Sequence, residues 1–336
     1  MNEPLLRVRD LRVEFRLARG TLRAVDGVSF DVHPGEALGL VGESGSGKTV
    51  ALRALVGLLP RTARITGGTI EIDGVDVTAS NEDRRRALRG TTVSMIFQEP
   101  MTALNPVMRV GEQIAEQPLV RLGESRRDAK RRAVELMRLV GIPDPVRRAE
   151  AYPHELSGGM RQRVMIAIAL SGNPRLILCD EPTTALDVTI QDQILKLLHR
   201  LQQELDVALV FVSHDLAVIA QTCRRLAVMY AGQVVETGAV ADVFREPRHP
   251  YTLGLLRSVP NFDAVRDTLA SIPGSPPDLA APPAGCRFHP RCPFVQADCL
   301  ERGIPLLELP GDRAVRCLHH ERVALDVLRE PVITHG

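Results

Sequence analysis

Ala37-Leu-Gly-Leu-Val41, then Gly42-Glu43-Ser44-Gly45-Ser46-Gly47-Lys48-Thr49, then Val50-Ala-Leu-Arg-Ala-Leu-Val56 places an apolar run, a glycine-rich turn and a helix-spaced segment in immediate succession. The apolar run reads as a buried strand, and the change to apolar positions three and four apart reads as a helix. The turn between them is built to cradle phosphate. Glycines at 42, 45 and 47 let the backbone turn its N–H groups inward around Ser44 and Ser46, and the following helix adds the positive end of its dipole. In this arrangement Lys48 reaches the β and γ phosphates of a nucleotide and the Thr49 hydroxyl coordinates Mg²⁺. Among 42 Lys plus Arg only residues 48, 130 and 196 are lysine. A lysine in so Arg-rich a chain fits a place where a compact ammonium is needed and a planar guanidinium is not.

A chain of 336 residues has room for one large domain with an appendage or for two domains. A net charge of +1 implies no strong polyanion partner, so basic runs such as Arg84-Arg85-Arg86 and Arg126-Arg127 read as solvated helix faces and nucleic acid is not expected as a partner. No run of about 18 apolar residues is present to span a bilayer. Met1-Asn-Glu-Pro has neither the basic nor the apolar region of a signal peptide, so a cytoplasmic location is expected. In a reducing compartment the six cysteines are not expected to pair as disulfides.

Working outward, Leu5 to Phe15 and Ala24 to Val32 alternate as strands before the glycine-rich loop. Ile65 to Ile72 and Thr92 to Phe97 read as strands after it, and Gln98 follows the second directly. From about Val110 to Val140 the period becomes helical and charged, an insertion within about 100–165. A helix after Leu156-Ser-Gly-Gly-Met160, the apolar strand Leu176 to Cys179, a helix over about 189–204 and strands at Val207 to Val212, Leu226 to Tyr230 and Gln233 to Glu236 complete an α/β alternation. Beyond Pro260 proline, glycine and cysteine dominate, so residues 1–260 are expected to form one domain and 261–336 a small separate module.

The strand ending in Asp180-Glu181 is the natural companion of the phosphate cradle. A carboxylate at a strand's C-terminal end can hold Mg²⁺ through water, a role for Asp180, and Glu181 one position on can act as general base toward water. His214 closes another strand and can hold the γ phosphate, the water and Glu181 in register, while Gln98 brings a neutral side chain suited to Mg²⁺ or water. Ser157-Gly158-Gly159 opens a helix and forms a second anion site. Two γ-phosphate sites on one chain make sense when two chains pair head to tail, each presenting its Ser-Gly-Gly to the other's nucleotide.

In family order, these stretches resemble the ATP-binding subunit of ABC transporters: Gly42 to Thr49 as Walker A, Gln98 as the Q-loop, Leu156 to Met160 as the signature, Leu176 to Asp180 as Walker B, Glu181 as the catalytic glutamate, Ala185-Leu186-Asp187 as the D-loop and His214 as the switch histidine. They cover roughly residues 5–260. The resemblance implies a P-loop NTPase fold of α/β class with an N-terminal antiparallel β-subdomain and a helical insertion, ATP with Mg²⁺ as ligands, and nucleotide contacts from Ser157, Gly158, Gly159 and Asp187. Phe15 best matches the adenine-stacking aromatic, or is a core residue of its strand. Met160 stands where the family usually has Gln.

Gln98-Glu-Pro-Met-Thr-Ala-Leu-Asn-Pro106, His249-Pro-Tyr-Thr-Leu253, Ile272-Pro-Gly-Ser-Pro-Pro277 and Gly285-Cys-Arg-Phe-His-Pro-Arg-Cys-Pro293 are similar to the oligopeptide and dipeptide importer branch, and the LSGGM signature to one of its two paralogous ATPases. The implied partners are a paralogous ATPase, two transmembrane permeases and an extracytoplasmic peptide-binding protein, with this subunit on the cytoplasmic face of the membrane. ATPases of nickel or other small-solute importers share the core, and a soluble ABC ATPase acting on nucleic acid or ribosomes shares the chemistry. Cys286, Cys292, Cys299 and Cys317 stand as C-x5-C-x6-C-x17-C, which is not a common zinc spacing. Thiolate ligation in a loop-rich segment suits an iron-sulfur cluster or structural zinc, the latter with His289, His319 or His320 as replacement ligands. Members of the branch carry a 4Fe-4S cluster there. Cys179 and Cys223 read as core residues.

Overall fold

Ala37–Val41 is buried at all five positions, as expected of a strand covered on both faces. The computed structural model describes residues 3–18, 20–184, 186–258 and 272–329. The chain divides into two units: Met1–Leu6 with Val32–Ala37 and Glu71–Phe211, and Arg7–Asp31 with Leu38–Ile70 and Val212–Gly336. In the second, the loop-bearing unit, the buried strand pairs in parallel with Arg225–Tyr230, Leu38 opposite Arg225 and Val41 opposite Val228. Gln233–Ala239 then returns antiparallel. The turn is Ala231-Gly232, with φ of 47° and 82°, and positive φ at both residues gives the twist a tight hairpin needs. The strands Leu6–Leu17, Gly20–Val32 and Ala63–Ile72 form a second sheet, with Leu6–Leu17 in the middle. Only two residues separate the first pair, which makes it an antiparallel hairpin.

In the helical unit Val93–Ile96 and Leu176–Asp180 run parallel, Val93 opposite Leu176 and Ile96 opposite Cys179. Helices Val110–Arg121 and Arg126–Leu139 pack on each other and on Gly158–Leu170. Arg126–Leu139 buries Ala129, Ala133 and Met137, one residue per turn along a single stripe, and Ser125 caps it by accepting from the Asp128 N–H. Arg132 on the same helix donates to the Ser171 carbonyl at 3.1 Å and to Glu124 at 3.0 Å, fastening the insertion to the approach of the Leu176–Asp180 strand. Helix Val188–Leu205 follows, with Ile194, Leu195, Leu197, Leu198 and Leu201 buried.

The tail expected as a separate module shares a sheet with the loop-bearing unit. Arg313–Val315 pairs antiparallel with Gln233–Ala239, and Leu307–Leu309 pairs with Arg313–Val315 at the edge. Strands of three residues are too short to stand as a sheet alone, and pairing onto an existing edge satisfies their backbones. The expected boundary at 260 lies outside the described residues. Cys223 caps the end of helix Leu216–Thr222, and both it and Cys179 are buried, as the sequence predicts.

Glu236 lies at the junction of these strands, with a relative exposure of only 1%. It accepts from the N–H groups of Arg248 at 2.8 Å and His249 at 2.9 Å and from the Arg313 guanidinium at 3.2 Å. Burial pushes its pKa up, and these donors oppose that shift. Beside it His249, also buried, caps helix Pro250–Arg257 by accepting from the Tyr251 N–H at 3.1 Å. Burial, and then the charge of Arg316, push its imidazole pKa down to about 3.

The unfolded chain therefore takes up this proton near pH 6.5 and the folded chain does not. Stability from the neutral imidazole is complete above that pH and is lost as pH falls toward 3, at up to ~1.4 kcal/mol per pH unit. His249→Asn keeps a capping acceptor without the titration, so its urea-unfolding free energy should fall less steeply below pH 6 than that of the parent. Parallel acid limbs for the two proteins would show that His249 does not drive the loss.

Candidate active site

The glycine-rich loop is closed by steric necessity. Gly42 has φ 151° and Gly47 φ 101°. A Cβ at Gly42 would lie 2.1 Å from the Met229 carbonyl oxygen, and one at Gly47 would lie 2.4 Å from that of Ala24. Neither position admits a side chain. The Lys48 ammonium is buried and donates to the carbonyls of Gly42 at 2.6 Å and Glu43 at 2.9 Å and to the Ser46 hydroxyl at 3.2 Å. The Ser46 N–H closes onto the Glu43 carbonyl at 3.2 Å, and the Gly232 N–H holds the Ser46 carbonyl at 3.0 Å. Ser44 and Gly45 form the exposed crest, and Thr49 lies in the first turn of helix Lys48–Leu55. The carbonyls of Gly42, Glu43 and Ser46 are thus taken up by Lys48, the Ser46 N–H and the adjoining hairpin. Phe15 is half-buried on its strand.

In the helical unit the parallel register brings Gln98 and Glu181 out at one end of the sheet, each two residues beyond the pair Ile96 and Cys179. Gln98 Nε2 donates to Glu181 Oε2 at 3.1 Å, and Thr184 Oγ1 donates to the same oxygen at 2.9 Å. Glu181 adopts φ 46°, a left-handed conformation that is uncommon for a non-glycine residue, and the two donors hold its carboxylate there. Asp180, immediately before it, is 1% exposed. Gln98 and Glu181 are thus hydrogen-bonded, with Asp180 the preceding residue of the strand.

Ser157 caps helix Gly158–Leu170 by accepting from the Met160 N–H at 3.3 Å, and Arg161 Nε fixes the preceding turn through the Pro153 carbonyl at 2.7 Å. Ser157 and Gly158 are exposed, while a Cβ at Gly159 would lie 2.8 Å from Ile190. Asp187, expected to contact nucleotide, caps helix Val188–Leu205 by accepting from the Ile190 N–H at 3.0 Å. Ala185, in the same stretch, lies outside the described residues. In the loop-bearing unit His214 is exposed on a turn fixed by the Asp215 N–H bond to Ser213 Oγ at 2.9 Å and by Asp215 capping helix Leu216–Thr222.

The tail brings Cys286, Cys292, Cys299 and Cys317 around one small pocket whose wall includes Phe288, Phe294, Val295 and Ile304. The Cys286 N–H donates to the Cys299 carbonyl at 2.8 Å. Burial pushes the thiols of Cys286, Cys292 and Cys317 up, Cys292 to about 11 and Cys317 to about 12. Among the described residues Asp298, Cys299 and His319 place ligand atoms within 4.8 Å of one another, and His319 Nε2 lies 2.9 Å from Asp298 Oδ1.

Three residues absent from the sequence-derived site touch the loop or its support. Tyr251 accepts from the Glu43 N–H at 2.7 Å, Arg291 pairs with the Glu43 carboxylate at 2.7 Å, and Arg287 donates to the Ala231 carbonyl. The signal available in the sequence was a pair of arginines inside the first cysteine spacing.

Residues 25–184 match the family model for the ABC transporter, and residues 235–299 that for the oligopeptide/dipeptide transporter, C-terminal region. A Brucella abortus (strain 2308) protein named "Putative peptide import ATP-binding protein" is 48% identical over 314 residues, which is 94% of each chain. The chain belongs to the ABC transporter ATP-binding proteins. A namesake from Brucella melitensis biotype 1 is 48% identical over 334 residues, 96% of this chain and 99% of its own. Among solved structures, a dimeric post-hydrolysis state of the ATP-binding cassette MJ0796 bound to ADP and Pi aligns with a TM-score of 0.63 at 27% identity, over 70% of this chain and 98% of its own. cbiO1 from Clostridium perfringens, part of the ABC transporter complex cbiONQ, aligns with 0.62 at 25%, over 72% and 91%. This ABC ATPase has the α/β P-loop fold that the sequence predicts.

Because a Cβ at Gly47 collides with fixed backbone, Gly47→Ala should weaken ATP binding by at least ~10-fold, about 1.4 kcal/mol. Gly74→Ala has a similar positive φ of 73° but open space around it, and should cost only about 1 kcal/mol of stability with ATP affinity retained. Titration of both variants with a fluorescent ATP analogue, alongside thermal melting, separates the two effects.

Proposed function

We propose that this ABC ATPase drives a peptide importer, taking dipeptides or oligopeptides as cargo of partner permeases. The observation that carries the reading is the joining, on one chain, of an ABC transporter match to an oligopeptide/dipeptide transporter C-terminal match. Its 48% identical relatives named for peptide import support the same cargo. Among the described residues no helix is long and apolar enough to cross a membrane, so the importer's channel belongs to other subunits. The assembly is two permeases, a paralogous ATPase and an extracytoplasmic peptide-binding protein, with this chain peripheral at the cytoplasmic face.

In this reading Gly42, Ser44, Gly45, Ser46, Gly47 and Lys48 bind the ATP phosphates, and Phe15 stacks on adenine. Thr49, Gln98 and Asp180 hold Mg²⁺, which when bound neutralises charge on the β and γ phosphates. Glu181 takes the proton of a water whose oxygen attacks the γ phosphorus as the bond to ADP breaks. The Gln98 and Thr184 bonds orient that carboxylate, and His214 positions the water. Ser157, Gly158 and Gly159 close over the γ phosphate on the paralogous subunit, with Asp187 at the same interface, and the exposure of Ser157, Gly158 and Asp187 suits a partner's nucleotide. Each nucleotide site is then shared between two chains.

The four tail cysteines suit a 4Fe-4S cluster in donor chemistry: all four line one largely apolar pocket, and burial disfavours the thiolates of Cys286, Cys292 and Cys317 until a cation compensates. Cys286, Cys292, Cys299 and Cys317 would hold it, and its contribution is to cross-link the tail.

Glu181→Gln in the assembled complex should keep ATP binding and lower turnover by ~10²–10⁴-fold. Unchanged hydrolysis would sink Glu181 as the base. For the tail, anaerobically purified protein should be brown, with iron and acid-labile sulfide near four each per chain. Stoichiometric zinc without sulfide would replace the cluster by a structural zinc.

A further inference from the structure

We infer that the loop between Cys286 and Cys292 tunes nucleotide affinity by holding both sides of the phosphate cradle, with Arg291 as a positioning residue that neutralises Glu43. This rests on the reading above that Gly42 to Thr49 holds the ATP phosphates. Glu43 is an acidic side chain inside an anion-binding loop. Left unpaired, its carboxylate repels the phosphates across a short distance and competes with them for the Lys48 ammonium.

Arg291 answers that charge with a fork: Nη1 lies 2.7 Å from Glu43 Oε2 and Nη2 3.1 Å from Oε1. The Arg291 side chain is only 4% exposed and that of Glu43 28%, so the guanidinium end of the pair is shielded from water while the carboxylate keeps partial access to it. The guanidinium is itself fixed, Nε donating to the Pro273 carbonyl at 2.9 Å and the plane lying 5.8 Å and 5.9 Å from the ring centroids of Tyr230 and Phe288. The backbone of Glu43 is held as well. Its N–H donates to the Tyr251 hydroxyl, and its carbonyl accepts from Lys48 and from the Ser46 N–H. Tyr251 in turn packs at 4.5 Å from Tyr230 and 5.6 Å from Phe288, ring to ring.

The other side of the cradle is reached from the same cysteine loop. Arg287 donates to the Ala231 carbonyl and pairs with Asp26, and the next residue, Gly232, holds the Ser46 carbonyl at 3.0 Å. Five residues between two cysteines therefore carry two arginines that end on the two supports of one loop. A tail needed only as a cap does not require that aim.

The test is equilibrium binding of Mg·ATP to the full-length chain and its variants. Arg291→Gln should bind ~10-fold more weakly, while Arg291→Lys, which keeps the charge and loses the fork, should fall between it and the parent. The decisive arm is rescue: adding Glu43→Gln to Arg291→Gln removes the stranded carboxylate and should restore affinity to within ~3-fold of the parent. A merely structural role for Arg291 predicts no rescue. Parent-like binding by Arg291→Gln, or a double variant as weak as the single, overturns the inference. Lys48→Ala, run in parallel, isolates the underlying reading: if it binds ATP like the parent, the loop is not the phosphate site. If it loses binding while Arg291→Gln does not, only the positioning role fails. Should Arg291→Gln not fold, Arg291→Lys with and without Glu43→Gln carries the same comparison.

Discussion

Everything in the loop-bearing unit follows from two places where backbone meets backbone too closely for a side chain. The carbonyls of Met229 and Ala24 stand where a Cβ on Gly42 or Gly47 would be. Those contacts force positive φ at both ends of a six-residue loop, and the turn this makes aims three oxygens at the Lys48 ammonium. The hairpin at Ala231-Gly232 is part of the same constraint, since its N–H holds the Ser46 carbonyl.

The helical unit solves a different problem with similar economy of parts. Glu181 accepts from two neutral donors, Gln98 and Thr184, on the same carboxylate oxygen, which fixes the direction of the side chain. Parallel pairing of Val93–Ile96 with Leu176–Asp180 delivers Gln98 and Glu181 to the same sheet end without any specific turn design. The exposed Ser157 and Gly158, by contrast, are capped and braced but present their helix end outward. That is the posture of groups whose ligand belongs to another chain, and it supports the proposed shared site.

The parts that were legible in the sequence are those governed by local rules. Ala37–Val41, the glycine positions and the Ser157 cap follow from burial, φ and capping preference, which act within a few residues. Gln98 and Glu181 were legible as strand ends, but their hydrogen bond was not, because register between strands 83 residues apart is set by packing. The edge pairing that joins Arg313–Val315 to Gln233–Ala239 was not legible, since composition marks a linker but says nothing of which strand edge a later segment meets. Arg291, Arg287 and Tyr251 were invisible for the same reason: their partners lie 248, 56 and 208 residues away. Asp187, singled out by motif, also caps helix Val188–Leu205, a job that capping preference makes legible in the sequence.

The central claim is that this ABC ATPase supplies half of each nucleotide site, and Gly158 tests it most directly. It is exposed, and a Cβ there meets nothing nearer than Leu186 at 3.8 Å, so the fold has room for a side chain. An aspartate at this helix start places a carboxylate where the partner's γ phosphate is proposed to dock. The measurement is ATP binding by the isolated Gly158→Asp chain together with hydrolysis by the assembled transporter that carries it. The account predicts unchanged binding and a turnover lowered ~10²-fold, roughly 2.7 kcal/mol of lost stabilisation. Undiminished turnover in the complex, or loss of ATP from the isolated chain, would contradict it.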